Sequence, residues 1–107
     1  MQFLLTAYDG TDEKAQERRL ANREAHIKFS DEDELVAKKQ MLFGVAMLDN
    51  DNKMIGSMVI YDFPSRTELE EVLKKEPYVI EKVWQKIEIV PCKIGPSFTG
   101  LYSNWRL

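Results

Sequence analysis

Few side chains in this sequence are equipped for chemistry near neutral pH. His26 is the single histidine among 107 residues, and histidine is the residue type that most readily exchanges protons in that range. Asp9, Asp62 and Glu76 fall at the expected ends of secondary-structure elements, where a carboxylate can face a cleft. Glu76 is followed by Pro77, which fixes the backbone, and then by Tyr78. A carboxylate that meets an imidazole orients the ring and stabilises its cation, the arrangement of an acid–base pair. Cys92 stands alone after Pro91 and reads as a packed thiol rather than a nucleophile, with no CxxC pair and no internal disulfide. One histidine does not build a zinc site, and no glycine-rich loop offers to cradle a phosphate, so neither metal nor cofactor is expected.

The elements that would position these residues are legible in outline. "QFLLTAY" (2–8) is a short apolar run that ends at the turn signal "DGTD" and predicts a strand. Residues 11–40 contain no proline or glycine. Ala15, Arg19, Asn22, His26 and Phe29 share one helical face there, and Leu20 and Ile27 lie on a neighbouring stripe. Ser30 followed by acids reads as a new N-cap, so a helix over about 12–29 and a second helical piece over about 31–39 are expected. "QMLFGVAML" (40–48) and "MIGSMVIYDF" (54–63) flank the turn "DNDNK" and predict a hairpin, with Gly44 marking a bulge or a close approach of backbone or ligand. "PSRTELEEVLKK" (64–75) predicts a helix opened by a Ser65–Glu68 capping box. "VWQKIEIVP" (83–91) predicts a last strand, and residues 94–107 suggest no element.

This β-α-β-β-α-β order predicts an α+β, ferredoxin-like fold: one domain over 1–107, with a four-stranded antiparallel sheet, two helices on one face, and 95–107 as a C-terminal extension. The first helix and the segment after the second then lie side by side, so His26 and Glu76 can meet. Leu4, Met58, Ile60, Tyr61 and Trp84 are expected on the sheet's other face, and such a patch predicts a homodimer. The net charge of −3 provides no basic field for a nucleic acid. The start "MQFLLTAYDG" has neither the basic flank nor the apolar length of a leader or membrane span, so a cytoplasmic setting is expected.

"REAHIKF" (23–29), "MLFGVAMLDNDNKMIGSMVIYDFPS" (41–65) and "EPYVIEKVWQKIEIVPCKI" (76–94) together resemble the YciI-like family. Arg23 and His26 match its Arg-x-x-His motif, and Gly56-Ser57 matches the Gly-Ser of its third strand. Ser65 matches the serine that opens the second helix, and Pro77-Tyr78 the corner that leads to the last strand. The resemblance covers roughly residues 1–94. It implies a dimeric α+β barrel, related in fold to muconolactone isomerases, with an active site of a histidine and an aspartate. One branch of that family removes chloride from a chlorinated muconolactone, and most members have no assigned reaction. Here Glu76 stands where the family has aspartate, so the carboxylate reaches about one methylene further.

The resulting expectation is a cofactor-free, isomerase- or lyase-like enzyme acting on a small lactone or organic acid. His26 would exchange a proton next to a carbonyl and Glu76 would orient it, with Arg23 holding a substrate carboxylate and Tyr78 and Ser57 donating hydrogen bonds. The alternative is a non-catalytic dimeric module that binds a small ligand at a degenerate site. A lone helical histidine is also commonly a packing or surface residue, and an exposed arginine a solvated ion-pair partner.

Overall fold

The computed structural model describes residues 1–32 and 35–98. Strand β1 (Gln2–Asp9) leads into helix α1 (Ala15–Glu32), and a hairpin of β2 (Met41–Leu48) and β3 (Met54–Asp62) follows. Helix α2 (Arg66–Leu73), the one-turn helix α3 (Pro77–Ile80) and β4 (Trp84–Cys92) complete the domain. The strands form one antiparallel sheet in the order β2-β3-β1-β4, so the fold is the ferredoxin-like α+β arrangement that the sequence predicts. Among the described residues, no helix is long and apolar enough to cross a membrane.

Alternation along β1 sets the two sides of the sheet. Phe3, Leu5 and Ala7 are buried towards the helices, opposite Tyr61, Val59 and Ser57 of β3. Leu69 and Leu73 of α2, with Tyr78 and Val83, close that core. At Gly56 the strands leave no room for a side chain: a Cβ would lie 2.5 Å from the Ala7 carbonyl oxygen and 2.5 Å from Met47 Cε.

The structure departs from several expectations. Helix α1 does not restart at Ser30 but runs through to Glu32, and the Ser30 hydroxyl donates back to the His26 carbonyl at 3.3 Å. Residues 35–39 form turns rather than helix, and Lys39 takes a left-handed φ of 63° just before β2. Residues 33–34 and 99–107, part of the expected second helical piece and of the extension, lie outside the described residues.

Tyr61 and Trp84 are not outer-face aromatics: they are 1% and 3% exposed, inside the core on the helix side. For Trp84 the reason is an irregularity in the β1–β4 register, where Tyr8 pairs with Lys86 but Asp9 pairs with Trp84. One extra residue flips the strand's phase and brings Trp84 to the same side as Ile87 and Ile89. Leu4, Met58 and Ile60 do alternate onto the outer side, where they stay partly exposed. Gly44 is paired regularly with Val59; the register shift in β2 lies before it, between Met41 and Phe43. Finally, the segment after α2, for which the sequence suggests no element, forms a further helical turn, α3, opened by Glu76-Pro77-Tyr78.

Candidate functional site

Helix α3 exists because three consecutive residues suit its first turn. Glu76 is the N-cap in extended conformation, Pro77 supplies a helical φ where no N–H is needed, and Tyr78 donates its backbone N–H to Glu76 Oε1 at 3.2 Å. This cap bends the Glu76 side chain inward, and the residue is 0% exposed. The same Oε1 lies 2.6 Å from His26 Nδ1. A glutamate in place of aspartate therefore does not separate the pair; the added methylene is taken up by the capping geometry. With the carboxylate accepting from Nδ1–H, the tautomer leaves the Nε2 lone pair of His26 free to take a proton.

Tyr78 also fixes the imidazole from its face. The two rings stack with centroids 4.0 Å apart and planes 3° from parallel. Arg19, two helical turns before His26, places its guanidinium carbon 5.0 Å from the Tyr78 ring centre. Positions seven apart on a helix are separated by about 10 Å along the axis, which admits one aromatic ring between the two side chains. Trp84 meets both the His26 and Tyr78 rings edge-on, at 5.8 and 5.6 Å.

Arg19 anchors a second buried polar cluster. Its Nη1 donates to both carboxylate oxygens of Asp9, at 2.9 and 3.0 Å, and its Nη2 donates to Ser57 Oγ at 2.9 Å. Trp84 Nε1 donates to the same Oγ at 3.1 Å. Ser57 thus accepts twice, and its own O–H is the donor it has left. Burial pushes the Asp9 carboxyl up from its ordinary range, and the hydrogen bonds and charge of Arg19 pull it back. Burial likewise pushes the Tyr78 phenol up, against the opposing pull of Arg19 and Arg23.

Beside these groups lies a cleft of about 180 Å³, lined by Arg19, Arg23, His26, Ser57 and Tyr78 and walled by Gly44 and Ala46 of β2. The cleft is open because the edge strand offers small residues there; a Cβ at Gly44 would meet nothing within 4 Å. Arg23 is exposed at the rim, and its guanidinium has no acidic partner among the described residues. Of the five residues singled out from sequence, four line this cleft and Glu76 stands directly behind His26. Asp62 does not join them and pairs with the chain's amino group at 3.3 Å. Asp9, one of the carboxylates expected to face a cleft, is held instead by Arg19, and Arg19 and Trp84 were not expected in a site. The available signal was Arg19's place on the inward stripe of α1, where a buried cation demands a partner.

A larger cleft of about 510 Å³ lies at the β1–α1 loop, lined by Asp9, Asp12, Lys53 and others. Asp9 is its single link to the network, whereas His26 lines the smaller cleft. Among the described residues, no three His, Cys, Asp or Glu side chains cluster closely enough to hold a metal.

A ferredoxin-like sheet that packs a histidine–carboxylate pair under a helix, beside a small cleft, defines a small α+β protein. The YCII-related domain matches residues 1–93, and the chain belongs to that family. No curated protein matches it. Among solved structures, it is similar to the 5-chloro-2-hydroxyhydroquinone dehydrochlorinase TftG from Burkholderia phenoliruptrix AC1100, determined in complex with 2,5-dihydroxybenzoquinone. That likeness has a TM-score of 0.73 at 22% identity and covers 91% of this chain and 98% of the other. An uncharacterized NIPSNAP domain protein from Burkholderia xenovorans matches with a TM-score of 0.46 at 9% identity, over 90% of this chain and 99% of that one.

Proposed function

We propose that this protein is an enzyme of proton transfer, acting on a small, acidic, carbonyl-bearing molecule such as a lactone or hydroxyquinone. The observation that carries the reading is the 2.6 Å contact between His26 Nδ1 and the fully buried Glu76 carboxylate at the wall of a cleft. Nε2 of His26 takes a proton from carbon next to the carbonyl, and the electron pair moves onto the carbonyl oxygen as an enolate. The Glu76 anion stabilises the imidazolium that results. Arg23 faces the substrate's anionic group and the growing enolate charge, while Ser57 and Tyr78 donate hydrogen bonds. The enolate then either recovers the proton at another carbon, which is isomerisation, or expels a leaving group from the neighbouring carbon, which is elimination.

The size of the cleft favours a compact ring over a drug-sized ligand. Halide elimination from a hydroxylated ring by the similarly folded dehydrochlorinase supports the second outcome as chemistry open to this fold. The protein acts as a homodimer through the outer sheet face, on which Leu4, Met58 and Ile60 remain partly exposed, and it works in the cytoplasm.

The test is turnover of a panel of unsaturated lactones and chlorinated hydroquinones by wild type and His26→Ala. 2,5-Dihydroxybenzoquinone serves as a binding probe. A loss of at least about 100-fold in turnover with the fold intact is expected. Equal turnover by the variant removes His26 from the mechanism.

A further inference from the structure

The direction of the Ser57 hydroxyl is set by two neighbours that can only donate. Arg19 Nη2 lies 2.9 Å from Ser57 Oγ, and Trp84 Nε1 lies 3.1 Å from it. Neither a guanidinium nor an indole N–H can accept, so Oγ accepts from both. With Cβ and two incoming donors around the oxygen, the hydroxyl hydrogen takes the direction that remains. Among the described residues no acceptor meets it, although Ser57 is 4% exposed. The same side chain lines the small cleft. Each of its two donors is held in turn. Asp9 takes Arg19 Nη1 through both carboxylate oxygens, which sets the guanidinium plane and gives Nη2 to Ser57. In that orientation Arg19 Nε is buried without a hydrogen-bond partner, in a guanidinium whose carbon lies 5.0 Å from the Tyr78 ring centre. Buried donors are seldom left unpaired, so the plane answers to Asp9 and Ser57 rather than to the full donor set of the arginine. Trp84 reaches Ser57 because the register irregularity between Tyr8 and Asp9 turns it to the helix side, and bulges that re-aim a side chain are over-represented beside functional sites.

We propose that Trp84 and Arg19 are positioning residues that act through Ser57. They fix its hydroxyl as a donor into the cleft, where it holds the carbonyl oxygen of the substrate and the enolate oxygen that forms from it. This rests on the reading of the cleft as a site of proton transfer and adds the chemistry of the ligand. A ligand has to bring an acceptor oxygen to Ser57, whereas an N–H or ammonium group at that position meets a donor that cannot turn away. Trp84 does not line the cleft and touches no substrate.

The test is a double-mutant cycle read by binding of 2,5-dihydroxybenzoquinone to wild type, Trp84→Phe, Ser57→Ala and the double variant, with circular dichroism reporting the fold. Trp84→Phe keeps an aromatic ring against His26 and Tyr78 and deletes the N–H. Ser57→Ala removes a donor to an anionic oxygen and weakens binding by about 10-fold or more. Trp84→Phe lets the hydroxyl turn away and weakens binding at least about threefold. In the Ser57→Ala chain the Trp84 change costs nothing further, because its route to the ligand is gone. A packing role would give losses that multiply. Trp84→Phe binding like wild type, or losses that multiply, overturns the proposal and leaves the reading of His26 in place. Should Trp84→Phe fail to fold, the indole N–H resonance of Trp84 decides in the chain that keeps it. Saturation with the quinone moves that resonance downfield in wild type more than in Ser57→Ala, because a hydroxyl that donates to an anion also accepts more strongly. Equal movement in both chains, or none, overturns the proposal. A wild-type chain that does not bind the quinone has no acceptor site of this kind, and the proposal falls, while turnover of the lactone panel still decides the reading of His26.

Discussion

Substituting Arg19 by methionine isolates the energetics of the buried cluster. The Asp9 and Arg19 side chains are each 4% exposed, joined by hydrogen bonds of 2.9 and 3.0 Å, with a further one from Arg19 to Ser57 at 2.9 Å. Arg19→Met keeps much of the side-chain volume but strands the carboxylate in the core. Breaking a buried pair from one side costs about 3–5 kcal/mol, a large part of the roughly 5–15 kcal/mol that a domain of this kind has. The stranded carboxyl can escape by taking a proton. Burial already raises the folded-state pKa of Asp9 above the unfolded value, and losing Arg19 raises it further. A carboxyl raised in the fold contributes stability below the unfolded pKa and loses it as pH climbs through the folded value. The deficit of Arg19→Met relative to wild type therefore grows between about pH 4 and pH 7, by about 1.4 kcal/mol for each unit of pKa elevation in that window. Urea unfolding followed by circular dichroism at both pH values measures it, with Asp9→Asn/Arg19→Met as the variant that removes the stranded charge. A deficit that is equal at the two pH values, or below about 1 kcal/mol at neutrality, refutes the account, because an exposed ion pair would be expected to give that result.

Other outcomes follow from the same geometry. Gly44→Val fills the cleft without striking the backbone, so stability should change by less than about 1 kcal/mol while binding of 2,5-dihydroxybenzoquinone is lost; unchanged binding would place the ligand elsewhere. Tyr61 and Tyr78 both have phenols raised by burial, so the fold holds them neutral. Their contribution is intact below the ordinary phenol value of about 10 and lost above it. Phenolate absorbance should show these two tyrosines titrating late, together with alkaline unfolding. Size-exclusion chromatography at micromolar concentration should give a dimer, and Ile60→Glu on the outer sheet face should give a monomer; a wild-type monomer would contradict the assembly.

The element order was legible because each element has its own local signal. Ser65, for example, accepts from Glu68 N–H at 3.2 Å as its spacing predicts. The meeting of His26 with Glu76 was legible as well, since topology alone brings the middle of α1 against the segment after α2. Trp84 was misplaced because period-two alternation does not reveal a bulge, and one inserted residue reverses a strand's faces. Arg19 was passed over because an arginine in a charged helix reads as solvated, although it shares a stripe with His26. Ser30 misled for a related reason: a serine before acids suits an N-cap, but here its hydroxyl bonds back to its own helix.

Helix α1 carries no continuous apolar stripe. Its residues classed as buried are Arg19 and Ser30, while Leu20 and Ile27 are 55% and 44% exposed. Besides Phe29, which packs against the core, the side chains that hold it are those beside the cleft: Arg19 on Asp9 and Ser57 of the sheet, and His26 on Tyr78 and Glu76 of α3. A ligand that fills the cleft and binds only the form with the helix docked would strengthen that docking by mass action. Amide hydrogens along the whole of α1, including turns that no small molecule could touch, should then exchange more slowly when the cleft is filled.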